Sequence, residues 1–502
     1  MPYALGALAA LLYVAGYPAG LGLWPLSCIA LVPLLWALER FELGPRAALR
    51  VGMLFSVVAQ LSGYAFLPET LLRFSGMPWV ACWLAHLALC IVQGGGAALW
   101  LCALGWLRAR GKSALACAPP LWVAQELLWP SVFEAPLGAA VHDAPVLAQV
   151  AELGGVALVS LLLASISASV AALLLGLARP AGRRRARPVA ALGAIAVVVA
   201  ASGARLASVE RELQHARTLR VGLVQASLGA EEKRRDPDRY AERYVQLSRA
   251  IAEPVDLLIW PETALARPVP ASVPAMGNAH PSLDRVQAPL LTGAVTYEAG
   301  RLHNSALLFG AERQRLDRVD KHKLLPFAEV IPLGDRFPQL YDWIPGAGHF
   351  TPGRGAPVLE LGSTKLAIFI CYEDMLPATV RQAALAGAEL LVSLSNDAWF
   401  GESRAAYTHF AAARLRAIEL RRTLVRATNT GVTAVVDPTG RVSPHTLAPE
   451  HVAATRVAEV ALLEGQTPYA RFGGGIATAV MLAWLALALL TSPRGPTRAE
   501  AA

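Results

Sequence analysis

Charge is what this chain has least of. Asp, Glu, Lys and Arg make up 16% of its 502 residues, against a hydrophobic share of 55%, and the mean hydropathy is +0.43. That balance excludes an ordinary soluble globular protein, in which about a quarter of residues are charged. Acidic residues are scarcer than basic ones, 37 against 45, which leaves a net charge of +8. An excess of that sign can point to nucleic acid. Much of the arginine lies beside long apolar runs, however, so orientation in a bilayer explains it better. There are only six cysteines, and no His/Cys cluster has the spacing of metal ligands, so no metal or other cofactor is implied. No low-complexity tract or repeat is present. The first apolar run also lacks a basic flank and is followed at once by another, which is unlike a cleaved signal peptide.

What the chain has in abundance is apolar sequence, unevenly spread. Residues 1–207 and 473–491 carry the long apolar runs, and 208–470 have the charge content of a soluble domain. Eight stretches are candidate membrane spans: 3–19, 23–39, 50–67, 78–107, 114–130, 154–178, 188–207 and 473–491. Several are close to the minimum length for a spanning helix. The loops after the second, fourth and sixth carry Arg40, Arg46 and Arg50; Arg108, Arg110 and Lys112; and Arg179, Arg183, Arg184, Arg185 and Arg187. The alternate loops carry only Arg73. Positive charge stays on the cytoplasmic side, so the N-terminus is expected there. Seven crossings then put 208–470 outside, and an eighth returns Arg494 and Arg498 to the cytoplasm. The expected organisation is a membrane domain over 1–207, an extracytoplasmic domain over 208–470, and a final span with its tail over 471–502. Within the spans Glu126 is the costliest residue, because a carboxylate in hydrocarbon needs a partner or water. Helix–helix bonding and positioning of a lipid headgroup are both open for it. His86, Gln60 and Gln93 are milder cases. The half-polar stretch 131–153, with Glu134, His142, Asp143 and Gln149, is expected along the outer interface.

From Leu219 onward, short apolar runs alternate with helical stretches. LRVGLVQA, VDLLIWPE, LAIFICYE, AELLVSLSN, TLVRATN and GVTAVVDPTG read as strands, and 231–253 and 405–422 as helices. Buried strands separated by helices predict a layered α/β sandwich, with chemistry at the strand ends. Three such places stand out. The run ending at Cys371 is followed by Glu373 and Asp374, which suit a first helical turn. A thiol there would be held rigidly, with free N–H donors nearby. Trp260-Pro-Glu262-Thr263 closes a strand with a carboxylate usable as a base, and Asp320-Lys-His-Lys-Leu-Leu-Pro-Phe-Ala-Glu329 supplies ammonium groups and another carboxylate. Taken singly, these read sooner as a buried small hydrophobe, a turn and a solvated basic loop. Together they make a thiol enzyme: Glu262 removes and returns the proton, and Lys321 or Lys323 stabilises the anions. Five cysteines (Cys28, Cys82, Cys90, Cys102 and Cys117) fall in or beside the spans. Cys371 is therefore alone in its domain, which excludes an intradomain disulfide and suggests chemical use.

These motifs strongly resemble the carbon–nitrogen hydrolase (nitrilase) superfamily, whose triad is Glu-Lys-Cys and whose fold is an αββα sandwich. The whole arrangement of spans around one such domain resembles the bacterial apolipoprotein N-acyltransferase family. The segments that carry the likeness are WPET at 260–263, DKHKLLPFAE at 320–329, CYED at 371–374, SNDAWFG at 395–401, ARLRAIELRRTLVRATNTG at 413–431 and LAQVAELGGVALVSLLLA at 147–164. The resemblance implies Glu262 as general base, Cys371 as nucleophile and Lys321 as the triad lysine, eight residues before Glu329. It implies Glu329 as a second essential carboxylate, with Tyr372 and Glu373 supporting the nucleophile. Trp399 and Phe400 fall in a loop that looks like a flap over the acyl chain, with core packing as the other reading. Ser227, Ala230 and Arg234 stand where the family carries Asn, Gln and Trp, which makes Arg234 a candidate substrate contact. Ala328 replaces a usual Gly, and a Phe-Pro-Trp motif is missing near 131–140.

The resemblance also implies a two-step transfer at the bacterial inner membrane. The donor would be a membrane phospholipid and the acceptor the α-amine of a diacylglyceryl-cysteine on an apolipoprotein, with a Cys371 thioester between them and no cofactor. Two other classes fit part of the pattern. A membrane-anchored amidase acting on small substrates shares the triad but does not need the spans. A non-enzymatic lipid-binding module does not need an intact Glu262, Lys321 and Cys371.

Overall fold

The computed structural model describes residues 1–75, 77–133, 135–177, 186–343, 348–354 and 357–491. The expected cytoplasmic charges Arg179, Arg183, Arg184, Arg185, Arg494 and Arg498, and the loop residue Glu134, lie outside them. The chain divides into two compact units. One comprises Met1–Pro68, Trp79–Ser208 and Phe472–Ala502, and the other Glu69–Pro78 and Val209–Arg471.

The first unit is helical. Trp79–Ala109, Val156–Leu177 and Ala186–Leu213 are long and apolar enough to cross a membrane, and Pro2–Gly16, Ala114–Leu128 and Gly475–Thr491 are shorter apolar helices. The expected span at 23–39 is two short helices, Trp24–Ser27 and Val32–Arg40. Pro25 and Pro33 stand in their first turns, where the missing N–H is harmless. Glu126 binds within the unit: its Oε1 accepts from Trp122 Nε1 and from Leu137 N, both at 2.7 Å. Gln93 donates to Gln60 at 3.1 Å. The Gln93–Gln60 bond joins two helices, Trp79–Ala109 and Pro45–Gly63, whereas Trp122 lies on the same helix as Glu126 and Leu137 opens a short 3-10 turn. The stretch after Phe133 is a series of short turns, Leu137–Val141, Pro145–Ala148 and Ala151–Gly154. There Glu152 is buried and paired with Arg205 at 2.7 Å.

The second unit is an αββα sandwich. Among the described residues its strands are β1 (Arg217–Gln225), β2 (Leu257–Ile259), β3 (Leu265–Pro270), β4 (Leu290–Glu298), β5 (Arg301–Phe309), β6 (Arg315–Asp320), β7 (Val358–Leu361), β8 (Thr364–Ile370), β9 (Leu390–Ser395), β10 (Thr423–Thr428), β11 (Ala434–Val436) and β12 (Ala454–Leu462). One sheet runs β12-β1-β2-β4-β5-β6 with β3 beside β4, and the other β11-β10-β9-β8-β7. The middle of each is parallel: β1, β2 and β4 in the first, β8, β9 and β10 in the second.

Side-chain alternation builds the layers. Leu257 and Ile259 of β2 and Ile368 and Ile370 of β8 point into the core between the sheets. Leu258 and Trp260 pack outward with the helix Pro237–Ser248, and Ala367 and Phe369 outward with Pro377–Leu385 and Ala405–Leu420. Both faces of each sheet are covered, so these strands read as continuous apolar runs rather than as alternating ones. The helical stretch 231–253 is broken at Asp236, ahead of Pro237, into Ala230–Arg235 and Pro237–Ser248.

Candidate active site

The site forms where neighbouring strands of the two sheets end. β2 leads into Trp260-Pro261-Glu262, and the chain turns at Thr263, whose φ of +50° lies in the left-handed region. Gly293 of β4 allows this turn to sit close: a Cβ there would meet Glu262 Cα at 2.5 Å. β8 leads directly into Cys371, at φ +58°, and a 3-10 turn Cys371–Met375. A non-glycine residue in that conformation costs about 1–2 kcal/mol, so the neighbourhood has to hold it. Glu373 does much of this. Its Oε2 accepts from Ile370 N at 2.9 Å, and its Oε1 accepts from His322 N and Lys323 N, both at 2.8 Å. One carboxylate thus ties the Cys371 turn to the segment after β6. Burial raises its pKa, opposed by these N–H donors. Tyr372 adds a bond from its hydroxyl to Leu324 O at 3.1 Å and lays its ring 5.7 Å from the Lys321 ammonium.

Lys321 follows β6, and pairing with β5 fixes its backbone: Lys321 N donates to Asn304 O at 2.8 Å. Its side chain is 1% exposed and lies 2.9 Å from Glu329 and 3.5 Å from Glu262. Lys323, its rival by chemistry alone, is exposed. Asn304 completes the group, its Nδ2 donating to Glu262 Oε1 at 2.7 Å and to Glu329 Oε1 at 3.0 Å. Glu262 Oε2 accepts from Asn396 N at 3.0 Å, and Glu329 Oε2 from Leu325 N at 2.8 Å. Two carboxylates therefore share one ammonium and one amide in a dry setting, the condition under which buried charge is tolerated.

The charges act on one another as a thiol enzyme requires. Burial would lower the Lys321 ammonium, but the Cys371 sulfur when ionised and the carboxylates of Glu262 and Glu329 outweigh it and hold the group cationic. Burial, followed by Glu262, pushes the Cys371 thiol up, against the pull of Lys321. The resting thiol keeps its proton, so attack needs a base beside it.

Several participants were not singled out from the sequence. Asn304 is one. Another is a buried network below the Cys371 turn. Asp374 accepts from Ser393 Oγ at 2.6 Å, from His409 Nε2 at 2.8 Å and from Arg426. Asp397 accepts from Ser395 Oγ at 2.9 Å and from Arg426 at 3.0 Å, and lies 3.3 Å from His409 Nδ1. Burial would raise both aspartates, but His409 and Arg426 hold them below the usual carboxylate range. Burial and Arg426 would lower His409, yet the two aspartates bring it up to about 9. A cation in a fully buried strand, as Arg426 is in β10, was the available signal, because such a group must be paired.

Trp399 and Phe400 belong to a short turn, Asp397–Phe400, anchored by the buried Asp397. Trp399 and Arg234 both line a cleft of about 490 Å³ that also includes Lys233, Arg267 and Asn396. Lys233 donates to Thr263 Oγ1, next to Glu262, and burial lowers its pKa to about 8 against the pull of Glu262.

This architecture is that of the carbon–nitrogen hydrolases, and the carbon–nitrogen hydrolase family matches residues 220–464. An amidase of the nitrilase superfamily from Nesterenkonia resembles the chain at 22% identity and a TM-score of 0.38, over 50% of this chain and 93% of its own. The match does not stop at that domain. The apolipoprotein N-acyltransferase N-terminal domain matches residues 9–169. Apolipoprotein N-acyltransferase of Geobacter metallireducens is 30% identical over 98% of this chain and 95% of its own length. That of Azotobacter vinelandii is 32% identical over 90% and 87%. The chain belongs to the apolipoprotein N-acyltransferase family.

Proposed function

We propose that the chain moves an acyl group from a membrane phospholipid to the α-amine of the N-terminal diacylglyceryl-cysteine of apolipoproteins, by a ping-pong route through Cys371. One observation carries the site assignment: buried Lys321 lies between Glu262 and Glu329 at the strand ends that flank the Cys371 turn. In the first step Glu262 takes the thiol proton and sulfur attacks the ester carbonyl. Lys321 balances the oxyanion, the C–O bond breaks, and Glu262 returns the proton to the departing lysophospholipid oxygen. In the second step the acceptor amine attacks the thioester, Glu262 takes the amine proton, and the thiolate leaves and regains it. Glu329 holds the ammonium in place, and Tyr372 and Glu373 hold the turn.

Family membership across both domains favours this reading over an amidase acting on small substrates, since the match at 9–169 lies outside the hydrolase domain. It also fits a protein of the bacterial inner membrane. The finer reading is that 1–207 form seven spans, 208–470 face the periplasm, and 471–502 return the C-terminus to the cytoplasmic side with the N-terminus. The activity is tested by incubating the full-length protein with phospholipid and a diacylated lipopeptide. The lipopeptide should gain one acyl chain on its free amine, and an N-acetylated lipopeptide should not. Release of ammonia from simple amides, with no lipopeptide product, would instead assign an amidase.

A further inference from the structure

The helix Ala186–Leu213 packs least of the three long apolar helices. Only 11% of its most apolar stretch is buried, against 61% for Val156–Leu177 and 50% for Trp79–Ala109. Polar bonds hold its C-terminal half: Ser202 Oγ donates to Val146 O at 2.5 Å, and Arg205 pairs with Glu152 at 2.7 Å. Its N-terminal half stands off from Ala114–Leu128, Val156–Leu177 and Gly475–Thr491, and the gap is a groove of about 900 Å³. Arg187, Ala191, Ala194, Ile195 and Val198 line it at helical spacing from one face. Ala168 and Trp484 are in the facing wall. Small residues such as these alanines let helices in a bilayer pack closely. Here they line a gap instead. An apolar gap does not hold water, and left empty it forfeits dispersion contacts on both walls.

One end of the groove is polar and cationic. A Cβ on Gly154 would meet Ala477 N at 3.2 Å, so Val156–Leu177 and Gly475–Thr491 start side by side. Thr491 and Arg187 then mark the same end, and both line the groove together with Ser113. Lys112, the residue before Ser113, donates its Nζ to Leu489 O at 2.9 Å, which places a second cation there. No carboxylate is among the described lining residues. Arg187 is exposed and has no hydrogen-bond or ion-pair partner among the described residues. A guanidinium fork beside an apolar groove matches a phosphate with hydrocarbon chains attached. Basic pockets between membrane helices bind anionic headgroups in this way.

We propose that this groove is a binding site for an anionic phospholipid, with its phosphate at Arg187 and Lys112 and an acyl chain along the stripe from Ala191 to Val198. The lipid is held and not consumed, since no residue of the candidate active site lines the groove. It completes the packing of Ala186–Leu213, the helix that leads into β1. The proposal rests on the membrane reading above, which puts the Arg187 end in the cytoplasmic leaflet. A zwitterionic lipid fits less well, because its headgroup cation meets two cations and no carboxylate.

The test uses the full-length protein in phosphatidylcholine nanodiscs. The probe is a phosphatidylglycerol with two ether-linked chains, so that Cys371 has no ester to attack, and with a photoreactive diazirine on one chain. After illumination, labelled peptides should come from Val156–Leu177, Ala186–Leu213 and Gly475–Thr491. A phosphatidylcholine probe of the same chains should label them about fivefold less, the scale of one basic residue at a lipid surface. Arg187→Gln should bring the phosphatidylglycerol probe down to about that level, and Arg187→Lys should keep part of the difference. Ala194 is exposed, so Ala194→Phe adds bulk only where the chain would lie. It should lower labelling by both probes while acylation of a lipopeptide continues. Equal labelling by the two probes, unmoved by Arg187→Gln, would show ordinary boundary lipid and overturn the site. Absence of label from Ala186–Leu213, with the chain dimeric by mass, would assign the face to a second copy and overturn it too. Either result leaves the acyltransferase reading standing, because that reading is scored on the lipopeptide. The predicted labelling in a protein that acylates no lipopeptide would keep the site and remove the activity.

Discussion

Lys321 and Glu262 stand 3.5 Å apart, while the same ammonium is 2.9 Å from Glu329. The inequality separates two carboxylates that share one cation. Glu329 is the closer ion-pair partner, and Glu262 is left with less of the positive charge and with a hydrogen bond from Asn304 at 2.7 Å. Glu329→Gln should therefore let Lys321 close on Glu262 and slow Cys371 acylation at least about tenfold, the low end of a general-base contribution. Glu262→Gln should abolish it. Equal, mild effects of the two substitutions would show that the carboxylates are interchangeable.

Lys321→Met should cost stability as well as activity. It leaves Glu262 and Glu329 buried without their cation, and breaking a buried pair in this way destabilises by about 3–5 kcal/mol. Thermal unfolding of the purified variant should show a lower midpoint, and acylation should fail. A variant that keeps its midpoint while losing acylation would mean the lysine is purely chemical. Adding Glu329→Gln to Lys321→Met should recover part of the midpoint without recovering activity.

The network of Asp374, Asp397, His409 and Arg426 predicts a pH dependence of stability. His409 titrates at about 9 in the folded protein and at about 6.5 when unfolded. The folded state holds the proton more tightly, so the contribution is complete below about 6.5 and is lost as pH rises toward 9. One proton sets a slope of at most about 1.4 kcal/mol per pH unit. Lys233, lowered to about 8, acts in the opposite sense above that value, so the informative window is pH 6.5–8. Unfolding midpoints of the wild type should fall across it, and those of His409→Asn should fall less steeply. Parallel slopes would remove His409 from the account.

The proposed orientation makes a labelling prediction. A reporter introduced near residue 340 should react with a membrane-impermeant reagent from the periplasmic side, and one near residue 185 should not. The reverse pattern would invert the topology and separate the site from its lipoprotein acceptor.

How much of this was readable in the chain depended on how local each signal was. Glu262 and Cys371 end short apolar runs, and the physics that buries those runs also puts their last residues at a strand end. Lys321 was harder. Its burial comes from the pairing of β6 with β5, a long-range event, and chemistry left Lys323 equally open until the resemblance supplied the spacing to Glu329. Asn304 gave no warning, because its two carboxylate contacts exist only after β5 has crossed the sheet. The Asp374–His409–Asp397–Arg426 network draws on four segments and was invisible for the same reason. β3–β7 and β12 were missed as strands: RLDRVD of β6 is partly exposed and lacks the apolar continuity of the central strands, and β4 and β5, though largely buried, are interrupted by polar residues such as Thr292, His303 and Asn304. In the helical unit the 23–39 stretch has the composition of a span, but its prolines divide it into short helices.

The acyl-enzyme tests the central claim most directly. Given phospholipid and no acceptor, the intact protein should gain the mass of one acyl chain, and hydroxylamine should remove it, as it does a thioester. Cys371→Ala should gain nothing, and Cys371→Ser at most a trace, since a serine hydroxyl is far less acidic than a thiol. A diacylated lipopeptide with a free amine should discharge the wild-type adduct. An adduct of the same mass on Cys371→Ala would contradict the account.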